Sequence, residues 1–339
     1  MKEIKVALLG FGGIAKSHKK GYDLLAAEGA NVRLVAVCDI NPDQFEKLAA
    51  GINLGSEGTL SLADLHTYTD CDEMLAKEEI DMVDICLPTY LHKEYTIRML
   101  KAGKHVLCEK PMALCSADCE EMLRVAKECD RQLMIGQCLR FEPSYLFLKD
   151  CIDDGRFGKL RSLFMDRLSG QPKWGFENWF ADTEKSGGCI MDMHIHDVDM
   201  ARFLLGEPTA VSCVAYDGVA RWAMENTRLY YDDVMVVANG SWEESGTRKF
   251  QMSFIARFEQ AEVILDSQGL TVYPNEGEPY APELSGKNRM AEEIRLLAMT
   301  IADPAVKNEA NPPESACKTV RLIEKLRESA AQNGAIITL

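Results

Sequence analysis

The sequence predicts an α/β protein in two parts. Residues 1–125 read as a doubly wound parallel sheet, and residues 126–339 as an α+β part with an open, mostly antiparallel sheet. Three observations predict it. Short β-rich runs alternate with longer helical patterns through the first third, as βαβ units require. A glycine-rich turn joins the first run to the first helix. From about residue 210, strand-like runs follow one another with no helix between them, which favours antiparallel neighbours.

Taken in order, residues 4–9 form a strand and 13–27 a helix; 32–38 form a strand, and Pro42 opens a helix over 42–50. Residues 80–87 are a strand, 91–102 a helix, 104–108 a strand, 118–129 a helix and 133–137 a strand. Right-handed crossovers then place helices on both faces of one sheet. Residues 188–205 read as a single helix, with Ile195, Val198, Phe203 and Leu204 inward and Gly206 as its stop. Strands follow over 211–216, 234–242, 249–258, 261–265 and 270–273, and two helices over 291–302 and 314–332 close the chain. The boundary between the parts falls between Asp118 and Arg140, with no Gly/Ser or Pro linker to mark it.

Composition narrows the function classes. The 339 residues suit two domains, each with a full core. A net charge of −15 repels phosphate backbones and anionic lipid, which argues against nucleic-acid and membrane-surface partners. The longest stretch without Asp, Glu, Lys or Arg, from Ser329 to Leu339, falls far short of the ~20 apolar residues of a spanning helix. No secretory signal pattern opens the chain. The twelve cysteines lie in apolar or helical runs, well under the ~8–10% of a disulfide scaffold, so reduced thiols in a cytoplasmic protein are expected. Cys115 and Cys119 find no second close pair, and no metal ligand set is assigned.

Gly10-Phe11-Gly12-Gly13-Ile14-Ala15 has the G-x-G-x-x-A form between an expected strand and an expected helix. Gly10 permits the tight turn, Gly12 lets backbone approach a pyrophosphate, and Ala15 allows helix and strand to pack closely. The helix N-terminus offers N–H donors to phosphate. Asp39 ends the second strand, 24 residues after Ala15, where a carboxylate bonds an adenosine ribose diol and repels a 2′-phosphate. No Arg or Lys follows until Lys47, so NAD is favoured over NADP. This is a Rossmann fingerprint in its confirming context.

Glu109-Lys110-Pro111, at the end of the 104–108 strand, joins that fingerprint to a wider pattern. The chain resembles the Gfo/Idh/MocA family of NAD(P)-dependent oxidoreductases over nearly its whole length. Gly10 to His18 resemble the family's first turn. Ile85-Cys86-Leu87-Pro88-Thr89 with His92 resemble its fourth strand and loop, and Gly103 to Pro111 its signature strand. Gly136, Gln137, Arg140, Phe141, Pro143, Gly155, Gly158 and Lys159 resemble the entry to its second domain. Gly187-Gly188 followed by Asp192, His196 and Asp199 resemble its substrate helix. The resemblance implies a six-stranded Rossmann domain, an open mixed sheet whose outer face forms a homodimer or homotetramer contact, and a cis Lys110–Pro111 bond.

Oxidising a secondary alcohol with NAD requires a base for the hydroxyl proton and a positive group beside the developing alkoxide. Lys110 supplies the charge and His196 the base, with Asp192 paired to it. On one helix Asp192 and His196 lie about 40° apart around the axis, while His194 points to the other side, flanking the site or facing an oligomer partner. Cofactor contacts are expected from Gly10, Phe11, Gly12, Gly13, Ile14, Asp39, Leu87, Pro88, Thr89, His92, Glu109 and Lys110. Substrate contacts are expected from Gln137, Arg140, Trp179, Asp192, His194 and His196. Trp179 belongs to a cluster with Trp174, Phe176 and Phe180, either a sugar-stacking face or a packed loop.

The function expected is hydride transfer between a nicotinamide and a secondary alcohol of a sugar, sugar derivative or cyclitol. The alternatives are an NAD-dependent glycoside hydrolase using transient oxidation and a catalytically silent NAD(H)-binding sensor. A metal site of Asp192, His194 and His196 would need that segment to be a strand, against its helical surroundings.

Overall fold

The structure is a computed structural model that describes residues 2–46 and 60–339. The chain runs β1 (Ile4–Leu9), α1 (Gly13–Ala27), β2 (Val32–Cys38), β3 (His66–Tyr68), α2 (Cys71–Lys77), β4 (Met82–Ile85), α3 (His92–Lys101), β5 (His105–Glu109), α4 (Ser116–Glu128) and β6 (Leu133–Gly136). It continues with α5 (Pro143–Asp154), β7 (Leu160–Leu168), α6 (Thr183–Ser186), α7 (Cys189–Asp192), α8 (Ile195–Leu205), β8 (Ala210–Tyr216), β9 (Met224–Tyr230) and β10 (Met235–Ser241). It ends with β11 (Gln251–Phe258), β12 (Ala261–Asp266), β13 (Gly269–Pro274), α9 (Arg289–Ala302), α10 (Pro313–Ala331) and β14 (Ile337–Thr338). Of the helix expected over 42–50, Pro42–Phe45 forms a single 3-10 turn capped by the Asn41 side chain. The remainder, from Lys47, lies outside the described residues.

Two compact units result, Met1–Phe141 with Lys287–Cys317, and Glu142–Gly286 with Lys318–Leu339. The division differs from the linear one at residue 125. β6 pairs with β5 and so completes the first sheet, and residues 287–317 rejoin the first unit because α9 packs on α1. Periodicity along a chain carries no signal for such a return.

In the first unit six strands, all parallel, stand in the order β3-β2-β1-β4-β5-β6 among the described residues. That is the doubly wound order, with its reversal between β1 and β4. Val6, Leu8, Leu107 and Met134 meet Leu25 of α1 and Ile294 and Leu297 of α9 in one core. Cys108 alternates to the opposite face and is fully buried there.

The second unit carries a sheet in the order β13-β12-β11-β7-β10-β9-β8-β14. β10 and β7 run parallel and every other pair antiparallel, so the sheet is mixed and mostly antiparallel. Its inner face buries Leu163, Met165, Leu229, Val236, Ala238, Phe254 and Val263. Tyr145 of α5 lies against Phe254 (5.2 Å between rings), and Asp197 of α8 pairs with Arg167 of β7 (2.8 and 2.9 Å). Among the described residues no helix is long and apolar enough to cross a membrane.

Candidate active site

The fingerprint turn is built as the sequence implies. Gly10 sits at φ +85°, and a Cβ there would lie 2.8 Å from the Cys86 carbonyl oxygen, so only glycine fits. The space where a Cβ of Gly12 would stand is open, and no side chain caps the start of α1. Backbone and helix terminus are therefore presented to an anion. Phe11 contributes only main chain, because its ring is buried 6.2 Å from Phe45. Asp39 accepts the N–H groups of Phe11 (2.7 Å) and Asn41 (2.8 Å), which fixes its carboxylate beside the turn with lone pairs to spare.

The turns after β1, β2, β4, β5 and β6 carry Gly10, Asp39, Leu87, Lys110 and Gln137. All follow the carboxyl ends of parallel strands, where open α/β sheets bind ligands. Lys110 is half-buried and its bond to Pro111 is cis. Gln137 is buried with its Nε2 facing no acceptor among the described residues, a donor available to a ligand. Together the glycine turn, the bare helix start and the Asp39 carboxylate fit a dinucleotide.

Two expected contacts in this unit change character. His92 is buried with Nδ1 2.7 Å from the Pro111 carbonyl oxygen and Nε2 2.8 Å from that of Leu87, so it joins two loops and has no surface for a cofactor. Arg140 is buried too, donating to the Ala310 carbonyl (3.1 Å) and the Ser315 hydroxyl (2.7 Å), which ties the returning segment to the unit and withdraws it from substrate contact.

In the second unit the helix expected over 188–205 is broken. His194 N–H, like Met193 N–H, donates to the Cys189 carbonyl (2.9 Å each), so one residue more than an α-turn holds is accommodated between α7 and α8. Wide turns of this kind recur at functional sites. Of residues 189–200, Asp192 and His196 alone are half-buried and the rest are buried. His194 is fully buried in its own unit, with Nε2 2.9 Å from the Thr227 hydroxyl of β9 and Nδ1 3.9 Å from Glu225. Burial and the Arg167 charge push its pKa down to about 3. It presents nothing to substrate or to a second copy. Nor do Asp192, His194 and His196 form a ligand cluster; among the described residues, the one group able to share an ion is His18, Asp84 and Cys86.

Gly188 introduces α7 at φ +75°, and a Cβ there would lie 2.3 Å from the Arg221 carbonyl oxygen. Trp179 is buried and stacked on Phe180 (4.0 Å, 27°), which also meets Trp174 and Trp242 edge-on. The cluster is thus a packed loop around Phe180, in which Trp174 and Phe176 are the exposed rings.

The sequence reading passed over a polar network behind Lys110. Asp84, inside the apolar run Met82-Val83-Asp84-Ile85-Cys86, is fully buried and receives Tyr22 (2.9 Å) and His18 (2.8 Å); His18 also meets Glu109 (2.9 Å). A lone carboxylate within an otherwise apolar strand was the signal, because a buried charge demands partners.

Comparison with known proteins agrees with this geometry. Residues 4–137 match the family model described as oxidoreductase family, NAD-binding Rossmann fold, of the Gfo/Idh/MocA group, and residues 145–271 match the model of that group's C-terminal domain. The chain is 36% identical over 214 residues to inositol 2-dehydrogenase of Rhizobium meliloti, covering 62% of this chain and 58% of that protein. It is 30% identical over 205 residues to myo-inositol 2-dehydrogenase of Thermotoga maritima, covering 60% and 55%. The matches thus span less than two thirds of these relatives. A crystal structure of aldose-aldose oxidoreductase from Caulobacter crescentus with glycerol superposes over the whole of both chains, with a TM-score of 0.82 at 23% identity, a likeness of fold.

Proposed function

We infer the activity from one premise: the chain belongs to the Gfo/Idh/MocA family of oxidoreductases, and its first unit is that family's NAD-binding Rossmann domain. It acts as a dehydrogenase or reductase on a secondary alcohol of a sugar, sugar derivative or cyclitol. The observation that carries this reading is the position of Lys110 on the loop after β5, on the same sheet edge as the Gly10 turn. The names of the two inositol dehydrogenases support a cyclitol or sugar as substrate.

The bound nicotinamide supplies the hydride acceptor or donor. Gly10, Gly12, Gly13 and Ile14 receive the pyrophosphate, Asp39 the ribose, and Leu87 and Pro88 line the nicotinamide side, with the buried Thr89 and Glu109 offering it main chain only. NAD is preferred because Asp39 repels a 2′-phosphate and residues 40–46 hold no cation to offset it. Lys110 stabilises the developing alkoxide and His196 takes its proton. Asp192 orients the imidazole, and Gln137 donates to a substrate oxygen. The twelve cysteines are all free thiols, which supports a reducing, cytoplasmic setting. On the outer face of the second sheet, Val237, Phe164, Ile255 and Ile264 are in register across four strands, a half-exposed apolar stripe that supports a homodimer or homotetramer.

Quenching of NADH fluorescence, followed by a screen of myo-inositol, levoglucosan, glucose and glycerol with NAD, tests the reading. Saturable NADH binding with turnover on a polyol is expected. Failure to bind NAD(H) at millimolar concentration removes it. Binding without turnover on any polyol points to the sensor, and nitrophenol release from aryl glycosides without net NADH points to the hydrolase.

A further inference from the structure

The two residues flanking Lys110 are each held by a buried histidine, and the two histidines come from helices on opposite faces of the first sheet. On the α1 side, His18 Nε2 lies 2.9 Å from Glu109 Oε1 while Nδ1 lies 2.8 Å from Asp84 Oδ2. Carboxylates only accept, so both ring nitrogens donate and the ring is an imidazolium. Burial opposes that charge most strongly of any single influence, but Asp84 and Cys86 together outweigh it and hold His18 well above the ordinary histidine range. Tyr22, one helical turn along α1, donates to the same Asp84 oxygen (2.9 Å). The other oxygen of Glu109 accepts the Lys110 N–H (3.0 Å). Gly136, opposite Glu109 on β6, leaves the room this carboxylate fills, since a Cβ there would lie 2.9 Å from Oε1. On the α3 side, His92 bonds the Pro111 carbonyl oxygen (2.7 Å) and also faces that of Leu87 (2.8 Å).

We propose that His18 and His92 are positioning residues for Lys110, fixing the main chain before and after it so that its ammonium is aimed while touching neither substrate nor cofactor themselves. The reason lies in the lysine side chain, a flexible stem with no directionality of its own. Such a stem is aimed only if its Cα is held, and an error of about 1 Å at a reacting centre costs roughly 100-fold in rate. Here the hold comes from a charged bond on one side and a ring between two carbonyls on the other, both sealed from water. This inference rests on the assignment of Lys110 to the chemistry.

The test is a double-mutant comparison with the best polyol of the screen above. His18→Gln, His18→Leu, His92→Gln and His92→Leu are each made alone and with Lys110→Ala. Each single change is expected to lower kcat ten- to hundredfold while the Kd for NADH stays within about twofold, and the glutamine variants, which keep an N–H donor, should lose less than the leucine variants. In the Lys110→Ala background the same changes should lower kcat no further, because their effect passes through the lysine. Full turnover in Lys110→Ala overturns the assignment of the lysine, and this inference with it. An inactive Lys110→Ala beside fully active histidine variants overturns this inference alone, as does an undiminished further loss in the double variants. If the leucine variants do not fold, the glutamine variants give the same comparison. A measurement that needs no substrate is the NMR signal of the 13C-dimethylated Lys110 side chain, assigned through Lys110→Arg. It should move toward the position of solvent-exposed lysines in His18→Gln and His92→Gln; an unmoved signal counts against the inference.

Discussion

Arg140 and Lys110 are both cations in the first unit that sequence reasoning placed at the site, and the fold uses them differently. The Arg140 guanidinium is buried against a main-chain carbonyl and a hydroxyl of residues 310–315. Arg140→Ala leaves those acceptors without this donor, and losing hydrogen bonds to a buried charged group costs about 2–4 kcal/mol. The expected outcome is a Tm lower by several degrees with the KM for polyol unchanged, read by thermal melts and steady-state kinetics; a raised KM in a protein of normal Tm would return Arg140 to the substrate. Lys110→Ala and His196→Ala should do the converse. Each should lower kcat by about 10²–10⁴-fold, the scale of a lost acid–base or charge-stabilising group, and leave NADH affinity and Tm nearly intact. Full turnover in both variants would mean that these roles belong elsewhere. A crystal structure with NADH and a polyol in which the substrate touches neither residue would say the same.

At the scale of elements, the strands that were legible are those whose inward positions are apolar. β1 and β2 fall on their expected bounds because alternation and turn residues agree. β7 and β9 escaped the reading because the fold puts polar groups on their inner face. In β7 the inward Arg167 is matched by Asp197 of α8, and in β9 the inward Glu225 and Thr227 face His194. Nothing in a one-dimensional pattern distinguishes a polar residue that will find such a partner from one that will face water. The helix over 188–205 was legible as helical but not as broken, since the extra residue near His194 is set by its bond to β9. The site follows the same rule. The proposal of Asp192 and His196 rests on their spacing, whereas the withdrawal of His92, His194 and Arg140 into the interior depended on partners far along the chain. The start of this segment makes a further prediction. Gly188→Ala forces a Cβ onto the Arg221 carbonyl at a backbone angle that alanine disfavours, so α7 must shift. The expected result is a loss of kcat and of Tm with NADH binding preserved, because the first unit holds the cofactor; wild-type turnover in Gly188→Ala would show that the placement of α7 does not matter to the reaction.

Over the whole molecule, buried ionisable groups set how stability varies with pH. Burial raises Glu225 to about 8, so it stays protonated in the folded chain at neutral pH, and burial with the Glu109 charge raises Glu293 well above its ordinary value. His18 is raised by its carboxylate partner Asp84 against burial, whereas burial lowers His92, His105 (to about 4) and His194 (to about 3). Stability rises with pH wherever the unfolded chain binds more protons, and falls where the folded chain does. Below about pH 6.5 the three lowered histidines bind protons more readily in the unfolded chain, so acid destabilises through them, while Glu225 and Glu293 act in the opposite sense. Above about pH 6.5 the unfolded histidines are neutral, and that term is gone. Glu225 then holds a proton that the unfolded chain has released, and the raised His18 and Glu293 act in the same sense, so stability falls from about pH 6.5 to about 8. Tm should therefore peak near pH 6 to 7 and drop by several degrees at pH 8.5. Glu225→Gln, which is uncharged at every pH, should remove part of the alkaline drop and steepen the rise on the acid side, where Glu225 opposes the histidines. Melting curves of both proteins from pH 5 to 9 decide the matter: parallel curves above pH 6.5 would show that Glu225 is not the buried acid that the fold keeps protonated.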